Sequence, residues 1–553
     1  RKPSNCLKTS PRFPHSFNKF HSSSGTDFVF SSMKFITGKD RNQTEFFCLE
    51  QAIAQDNEVR LIDLFVSSIK MKDYGFNMDF IDNGRPAYHP SELLKVFIYG
   101  YLNRIRSSRQ LEKECRRNIE LMWLMRGLAP DHNTIANFRK DNPKAIRKIF
   151  HVTVSLAKNF ELIGGKLLAG DSTKLRAQNS KKNNFNAAKI ERHIAYIDDK
   201  LSQYSTMLAQ QDQDLRQENK AEIQNKVTKH KQQRNKYETY KKYLDETGEV
   251  QISTSDPDSR QLITRNNITE VAYNVQTTVD AKHNIPIDFK VTNQNDSKAM
   301  GGMVRRAKTI IGSADFTILY DKGYHTGTEF QYAERQGVQV MVAVPEVASH
   351  APDLAFDVAN FNYDQVLDQY LCPAGESLTT NGRWYFKKHG KTTNRMKHYK
   401  TKSCQTCQLF DRWTKNKAGR LIERTEHAEL IEANKQRVIL NKTLYRRRQA
   451  IVEHPYGIVK RQWGFYYIMS KRSIKHASAD VGLIFTAFNL RRIFNIIDHN
   501  MLKKYMEVLG CVFSFLNGHF KPLYAIAHST LKYIKPENAC FFMPLNRLYL
   551  SYR

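Results

Sequence analysis

The stretch ILYDKGYHTG, residues 318–327, decides how this chain is predicted to fold. Its apolar start is typical of a buried strand, and Lys322 and Gly323 turn the chain away directly after Asp321. A carboxylate at the end of a strand serves as a helix cap, an ion-pair partner or a metal ligand. This stretch alone leaves the three roles open, so the decision depends on where other acids lie.

Two further acids stand in comparable places. Asp171 ends a Gly-led strand that we predict over residues 166–172, and Glu453 lies in a helical pattern that starts at Thr443. Strand ends place side chains at the rim of a sheet, and a helix crossing the rim can direct Glu453 to the same point. The three acids would repel one another there unless cations neutralise them, and hard oxygen ligands suit Mg²⁺ or Mn²⁺. Two such ions about 4 Å apart would activate a water or a 3′-hydroxyl for phosphoryl transfer.

Composition indicates which partner such chemistry would act on. Across 553 residues, 86 Lys and Arg face 55 Asp and Glu, which gives a net charge of +31. This surplus favours nucleic acid, because each cation placed on a phosphate releases counterions; a merely basic soluble protein is the alternative. No apolar run reaches the roughly 18 residues of a membrane span. Eight unevenly spaced cysteines indicate a reducing cytoplasm rather than a disulfide framework.

The N-terminal third divides into a leader and a helical domain. Residues 1–32 lack periodicity and are predicted to be a disordered leader or translated upstream sequence. Residues 33–162 are predicted to form an all-α DNA-binding domain, because apolar residues recur at helical spacing from Glu58 onward. Ser91 and Asp131 stand where N-caps belong.

A helix-turn-helix is one interpretation of this region. SSRQLEKECRRN (residues 107–118) and DHNTIANFRKDN (residues 131–142) would be its two helices, joined by a Gly-Leu-Ala-Pro turn. Arg139 and Lys140 of the second helix are then predicted DNA contacts. A plain helical bundle has the same pattern, so both interpretations stay open.

A mixed α/β sheet is predicted over residues 163–345. A strand is followed by a long polar helical insertion at 186–245, then by two strand patterns at 270–281 and 285–293 that form a hairpin. Helix, strand, helix and strand complete the block, an order typical of a mixed sheet. The insertion is predicted to be a helical hairpin, because its apolar seam fades after two to three heptads.

Residues 346–440 form a basic, β-rich insertion in which the helical pattern largely disappears. Between residues 377 and 410 there is no Asp or Glu, while aromatic residues alternate with eight Lys and Arg, at positions 383, 387, 388, 391, 395, 397, 400 and 402. Cations and rings together suit a surface that tracks a nucleic-acid strand; a solvated loop around a small β core is the alternative. Residues 441–497 return to helices, and 498–553 are a C-terminal segment without readable chemistry.

Three motifs carry a resemblance to a known family. LLAGDSTKLRAQNS, ILYDKGYHTGTEF and IVEHPYGIVKRQWGF resemble the catalytic motifs of bacterial insertion-sequence DDE transposases, specifically the eleven-eighty-two group within the "IS four" superfamily. MKFITGKDRNQTEFF, VAYNVQTTVDAKHNIP and GLIFTAFNLRRIF are also similar, so the resemblance spans residues 33–497. It implies a ribonuclease-H-like catalytic domain, dependence on Mg²⁺ or Mn²⁺, and cleavage with strand transfer at terminal inverted repeats. It also implies that Asp171, Asp321 and Glu453 are the catalytic metal ligands.

The resemblance adds DNA contacts around these acids. In the superfamily a Tyr and an Arg precede the Glu and a Lys follows it, and here Tyr445, Arg448 and Lys460 take those places. Four residues separate Arg448 from Glu453 where the superfamily pattern has three. Beyond the two aspartates, phosphate contacts are predicted for Lys174, Arg176, Lys322 and Tyr324, although a solvated role is equally open for Lys174 and Arg176.

A zinc site is a weaker implication. Relatives carry a cysteine cluster in the β-rich insertion, and Cys372, Cys404 and Cys407 are its counterparts here, but Trp413 stands where a further cysteine is expected. A structural zinc site needs four ligands, which His389 or His398 would have to complete.

The sequence thus predicts a transposase that acts on double-stranded DNA as a homodimer, in the bacterial cytoplasm at the nucleoid. A catalytically idle DNA-binding repressor and a nuclease without strand transfer are the alternatives.

Three smaller features are assigned to structure. Asp280, Asp288 and Asp296 are predicted to be structural, with support of the site as a second option for Asp296. Trp463 is predicted to be core, and His454 a structural histidine rather than a proton carrier.

Overall fold

The computed structural model describes residues 42, 46–78, 86–210, 217–265, 268–346, 352–389, 392–414, 416–417, 419–469 and 472–515. The predicted leader at 1–32 and the end of the C-terminal segment beyond residue 515 lie outside these described residues. Within them, no helix has the combination of length and apolar composition that crossing a membrane requires.

Helices fill the described N-terminal region, as predicted. They are α1 (Leu49–Ala52), α2 (Glu58–Ser67), α3 (Pro90–Leu102), α4 (Ser108–Arg117), α5 (Ile119–Leu124), α6 (His132–Asp141) and α7 (Pro143–Asn159). Asp131 caps α6, since its Oδ1 accepts the backbone N–H groups of Asn133 and Thr134 at 2.8 and 3.0 Å. The predicted cap at Ser91 is wrong: Pro90 occupies the first turn of α3, so the cap falls on His89.

The two candidate helix-turn-helix segments are not joined by a simple turn. Asn118 ends α4 and caps α5 by accepting the N–H groups of Glu120 and Leu121 at 3.0 and 3.3 Å. A second helix therefore starts directly after α4, because a capping Asn can satisfy a new helix start in mid-sequence. The short helix α5 and the Gly-containing turn both separate α4 from α6.

The central sheet is mixed, which confirms the predicted α/β class. Its region contains β1 (Leu167–Arg176), β2 (Asn184–Asn186), α8 (Ala187–Gln210), α9 (Gln217–Thr247), β3 (Gln251–Ser253), β4 (Arg260–Arg265), β5 (Ile268–Asp280), β6 (Ile285–Thr292), α10 (Met300–Ile311), β7 (Thr317–Tyr320), α11 (Gly327–Arg335) and β8 (Gln339–Val342). The strand order is β4-β5-β1-β7-β8, and β6 also pairs with β5. β7 is parallel to β1 and β8, whereas β5 is antiparallel to β1, β4 and β6. The short strands β2, β3 and β4 were not predicted.

The helical insertion is a hairpin, as predicted. Pairs Asp198–Arg234 and Glu191–Lys241, at 2.6 and 3.3 Å, show that α8 and α9 run antiparallel. Among its described residues, the hairpin has a small apolar cluster at its base, which includes Ile190. Ion pairs and the narrow apolar seam therefore hold most of its length.

The β-rich insertion contains a second sheet and one unexpected helix. Its elements are β9 (Asn362–Asp364), β10 (Gln369–Leu371), β11 (Ser377–Thr380), β12 (Tyr385–His389), β13 (Thr392–Lys400), α12 (Phe410–Trp413), β14 (Ile422–Thr425) and α13 (Ala428–Leu440). The sheet has the order β12-β13-β11-β10-β9, with β14 also on β13. The prediction that the helical pattern disappears up to residue 440 is wrong for α13. This helix buries one residue, Asn434, so its sequence shows little of the apolar face that predicts a helix.

The last described elements are helices that return to the main core. They are α14 (Lys442–Gly457), which continues into a π-helical turn at Ile458–Gln462, then α15 (Ile474–Ile496) and α16 (His499–Phe515). α15 is buried along most of its length and packs against α3, α7 and β6. One hydrophobic core therefore joins the N-terminal helices to the sheet. Trp463 belongs to that core, as predicted, and its ring contacts Phe488.

Candidate active site

The position of Asp171 depends on two different strand pairings. β1 pairs in parallel with β7 only as far as Ala169, opposite Leu319, but its antiparallel pairing with β5 continues to Arg176. The predicted strand end at Asp171 is therefore wrong, because β5 carries the strand five residues further. Asp171 lies where β1 extends beyond β7, and its side chain stays 22% exposed.

Asp321 follows β7 directly and acts as a cap. Its Oδ1 accepts the N–H of Gly323 at 2.9 Å, which closes the 3-10 turn Lys322–Tyr324. This capping bond uses one of the two carboxylate oxygens of Asp321. The negative charge of Asp321 is close enough to raise the pKa of Asp171.

Arg448 is the cation that these two aspartates share. Its Nη1 donates to Asp171 Oδ2 at 3.1 Å, while the N–H of Ser172 donates to Oδ1 at 2.7 Å. Burial raises the pKa of Asp171 and Asp321 raises it further, and together they outweigh the opposing effect of Arg448. Burial lowers the pKa of Arg448, but the carboxylates more than reverse this. The raised pKa of Asp171 is therefore mainly an effect of its burial, to which the nearby charge of Asp321 adds.

Helix α14 is fastened to the sheet by two tyrosines. The hydroxyl of Tyr445 donates to the carbonyl of Tyr320 at 2.8 Å, and that of Tyr456 donates to the carbonyl of Asp171 at 3.0 Å. Tyr456 was missed at the sequence level, although it lies about three turns after Tyr445 and hence on the same helix face. That spacing is the signal that would have found it.

Glu453 lies apart from the two aspartates. It is exposed and accepts a hydrogen bond from Gln449 Nε2 at 2.8 Å. Five residues beyond Arg448, it stands about 140° around the helix from that side chain. In the part of the chain that the structure describes, no three Asp, Glu, His or Cys residues are grouped so as to hold a metal ion. The structure thus brings Asp171 and Asp321 together, but not Glu453.

The lysines near Asp171 contact protein groups. Lys174 Nζ donates to Ser172 Oγ at 2.9 Å and to Asp296 Oδ2 at 3.2 Å. Lys460 Nζ, from the π-helical turn, donates to the carbonyl of Lys174 at 3.0 Å. Both ammonium groups therefore lie beside β1, next to the aspartates.

The remaining predicted DNA contacts near the site differ in accessibility. Arg176 is exposed and pairs with Glu270 at 3.2 Å, and Lys322 is exposed on the turn after β7. Tyr324 is fully buried, and its hydroxyl donates to Gln276. The predicted phosphate contact of Tyr324 is therefore wrong, because the 3-10 turn directs its ring into the core.

The two DNA contacts predicted on α6, Arg139 and Lys140, also differ in exposure. Arg139 is buried, and its Nη1 donates to Tyr101 Oη at 2.9 Å and to Asp480 Oδ1 at 3.3 Å. It fastens α6 to α15, so its predicted DNA contact is wrong. Lys140, the next residue on the helix, is 62% exposed and lies 3.6 Å from Asp141.

Asp296 is a third acid beside the site, one for which both a structural and a supporting role were open. Asn274 Nδ2 and Gln276 Nε2 donate to its Oδ1 at 2.7 and 2.6 Å. Burial raises its pKa, but Lys174 and these amides outweigh burial and lower it. A Cβ built on Gly323 would lie 3.1 Å from Asp321 Oδ1 and 3.8 Å from Asp296 Oδ2. A larger residue here would therefore press on the Asp321 carboxylate, whereas Asp296 would stay at ordinary contact distance.

The predicted zinc cysteines belong to an apolar core. Cys372 and Cys404 are buried, and Trp413, which is also buried, stacks on Phe356 with ring centroids 5.2 Å apart. Burial raises the pKa of the Cys404 thiol. His398 stacks on Tyr385 instead, and the side chain of His389 lies outside the described residues. Within the described chain, Cys372, Cys404 and Cys407 form no group that could hold a metal ion, so the zinc site stays a prediction.

Comparisons with known proteins agree with the general class. Residues 47–141 match the family model of a transposase domain (DUF772), and residues 371–494 match that of a transposase DDE domain. The two matches support a DDE transposase. Arg448, Glu453 and Lys460 lie inside the second matched segment, whereas Asp171 and Asp321 lie outside both.

One solved structure is similar over most of its length. It is a piggyBac transposase synaptic complex with hairpin DNA, at 9% identity and a TM-score of 0.30, covering 88% of this chain and 87% of that chain. A TM-score this low does not establish a common fold. No curated protein matches the chain.

Proposed function

We propose that this chain is a DDE transposase that cleaves element ends at terminal inverted repeats and joins them to target DNA. The observation that supports this most is the convergence of Asp171 and Asp321 beside β1 and β7, with Arg448 bonded to Asp171 and close enough to interact with both charges. Two carboxylates kept close with incomplete neutralisation are costly in a purely structural role. The two transposase family matches support the same function.

The acids suit a hard divalent cation. Asp171 and Asp321 offer carboxylate oxygens that repel one another, which is the donor chemistry that Mg²⁺ or Mn²⁺ satisfies. We propose that Asp171, Asp321 and Glu453 hold the metal, with Glu453 giving up its contact to Gln449. Bound metal would supply Lewis-acid activation of the nucleophile and stabilisation of the leaving oxygen. In the reaction, a water or 3′-hydroxyl oxygen bonds to phosphorus, the bond from phosphorus to the 3′-oxygen breaks, and a 3′-hydroxyl is released.

The surrounding residues have separate roles in this proposal. Tyr445 and Tyr456 fix α14 against β1 and β7, so that Arg448 and Glu453 keep their places relative to the aspartates. Lys174, Lys460, Arg176 and Lys322 line the approach as cations for backbone phosphates. Lys140 of α6 is the remaining candidate for DNA contact in the N-terminal helices.

We propose further that the sheet is ribonuclease-H-like. The order β6-β5-β1-β7-β8, with only β5 antiparallel to the rest, supports this, because the first three strands form a meander and the last two are parallel additions. Two element ends must be joined in one event, so we propose that the active species is a homodimer on DNA.

The test is cleavage of a duplex that carries the repeats flanking the gene. In Mg²⁺, the wild-type chain should cut at the repeat end, and Asp321→Asn and Glu453→Gln should reduce cutting to background while binding of the duplex is kept. Asp315→Asn is the matched control, since Asp315 is an exposed acid before β7, at the strand's opposite end. Wild-type cutting by either site variant would contradict the proposed acids.

The placement of Glu453 favours one alternative. Its exposure and its distance around α14 from Arg448 are what a catalytically idle DNA-binding protein would also have. In that case the wild-type chain itself would bind the repeat duplex without cutting it in Mg²⁺ or Mn²⁺. Products that are cut but never joined to a second duplex would instead indicate a nuclease.

A further inference from the structure

The edge of the second sheet exposes three aromatic side chains in a row. Trp384 precedes β12, and Tyr385 and Phe386 open it; their exposed fractions are 38%, 37% and 70%. Adjacent exposed rings form an apolar patch of the kind that marks an interaction site on a protein surface. Phe386 is the most exposed of the three.

The register of β12 on β13 places these rings on two opposite faces of the sheet. Phe386 pairs with Arg395, so the two side chains share a face of the sheet. Trp384 lies on the same face, with Arg395 and Lys397 at 5.0 and 5.3 Å from its ring centroid. Tyr385 points to the opposite face, where it stacks on His398 at 4.2 Å. We call Trp384, Phe386 and Arg395 the aromatic–basic face.

Positive charge is in surplus around this face. No Asp or Glu occurs between residues 377 and 410, against eight Lys and Arg. Acids from elsewhere pair with three of these cations: Glu423 with Lys387, Glu426 with Arg395 and Asp368 with Lys397. Arg383, next to Trp384 in the chain, and Lys388, two residues after Phe386 on the same side of β12, are both exposed. The surface therefore combines accessible rings with surplus positive charge.

We propose that the aromatic–basic face binds unpaired DNA, with Trp384 and Phe386 stacking on bases and the cations holding the phosphates between them. A duplex fits less well, because its base faces are already stacked on one another and only phosphates would be met. A second copy of this chain fits less well too, since it would bring the same positive charge. The inference rests on the proposed function only for the source of the strand, which DNA cutting would free.

The test measures binding of single-stranded oligo(dT) of about 20 nucleotides to the full chain in EDTA, by fluorescence anisotropy. Each of Trp384→Ala and Phe386→Ala should weaken binding about tenfold or more, as expected for the loss of one stacked base. Trp384→Phe should keep the affinity but lose the tryptophan quenching that oligo(dT) causes. Tyr196→Ala is the matched control, because Tyr196 is an equally exposed ring, on α8.

Three results would overturn the inference. One is wild-type affinity in Trp384→Ala and Phe386→Ala; the second is an equal loss of binding to a duplex of the same length; the third is an equal loss in Tyr196→Ala. Thermal melting of each variant shows whether a loss of binding is a loss of fold. Binding of oligo(dT) in EDTA needs no cleavage, so a wild-type chain that binds oligo(dT) through these rings but does not cut the repeat duplex in Mg²⁺ would contradict the proposed catalysis and leave this inference standing.

Discussion

Asp480 and Asp171 are both aspartates in contact with arginine, but their surroundings are opposite in charge balance. Asp480 is fully buried and receives Arg106 Nη2 at 2.5 Å, Arg139 Nη1 at 3.3 Å and the Met469 N–H at 2.8 Å. Burial raises its pKa, but the two guanidinium groups outweigh burial and lower it. Two cations thus serve one carboxylate.

At Asp171 the ratio is reversed. One guanidinium, Arg448, serves Asp171 and Asp321, and the pKa of Asp171 is raised, by burial first and by Asp321 in addition. A buried acid with surplus cations is settled as part of the fold, since it gains nothing from further positive charge. An acid with surplus negative charge gains from a cation that arrives later. The number of guanidinium groups per carboxylate therefore distinguishes the buried cluster around Asp480 from the candidate site around Asp171.

The largest expected effect comes from breaking the structural cluster. Asp480→Asn should lower the free energy of unfolding by about 3–5 kcal/mol, because it leaves Arg106 and Arg139 buried without a counter-charge. Asp171→Asn, which removes a carboxylate that is already under-neutralised, should change it by about 1 kcal/mol or less. Urea unfolding followed by circular dichroism measures both. Equal losses in the two variants would mean that the charge ratio does not separate the two regions.

A smaller effect is expected when the shared cation is removed. Arg448→Gln should destabilise the chain by about 1–3 kcal/mol, because Asp171 and Asp321 then repel without compensation. If these acids accept a divalent cation, millimolar Mg²⁺ should restore more stability to the variant than it adds to the wild type. The measurement is the unfolding midpoint with Mg²⁺ against EDTA. No Mg²⁺-dependent gain in either protein would count against a metal site here.

The dependence of stability on pH should have opposite signs in the two regions. The pKa of Asp480 is lowered in the fold, so its contribution is present above the unfolded value of about 3.9 and is lost as pH falls through the folded pKa. The stability gap between wild type and Asp480→Asn should close on acidification.

For Asp171 the folded pKa is raised, so its ionisation weakens folding as pH rises from that same unfolded value through the folded pKa. Asp171→Asn should therefore gain stability relative to wild type over this window, which unfolding curves at pH 3 to 7 would measure on the scale of about 1 kcal/mol. If the difference in free energy of unfolding between wild type and variant changed with pH in the same direction for Asp480→Asn and Asp171→Asn, the comparison would be contradicted.

The sequence predicted the backbone around the site better than the directions of its side chains. The strand before Asp321, the cap at Asp131 and the helical insertion follow from local patterns, and the structure has all three. The end of β1 did not follow, because pairing with the distant β5 decides it. Arg139 and Tyr324 were misjudged for the same reason: only tertiary contacts turn an apparently exposed polar residue inward.

Asp296 is intermediate between Asp480 and Asp171 in the number of cations per carboxylate, and its replacement gives the smallest expected effect. It holds one cation, Lys174, and two amides, so Asp296→Asn should cost only about 1 kcal/mol of stability. The same change frees Lys174 for phosphate. The slope of log affinity against log salt for a duplex should then steepen by about 0.9, one additional phosphate contact. Glu270→Gln is the matched control: its partner Arg176 is already 56% exposed, so less charge is released and the slope should change less. An unchanged slope in Asp296→Asn would show that Lys174 does not face DNA, and would leave Asp296 with Asp480 as a structural acid.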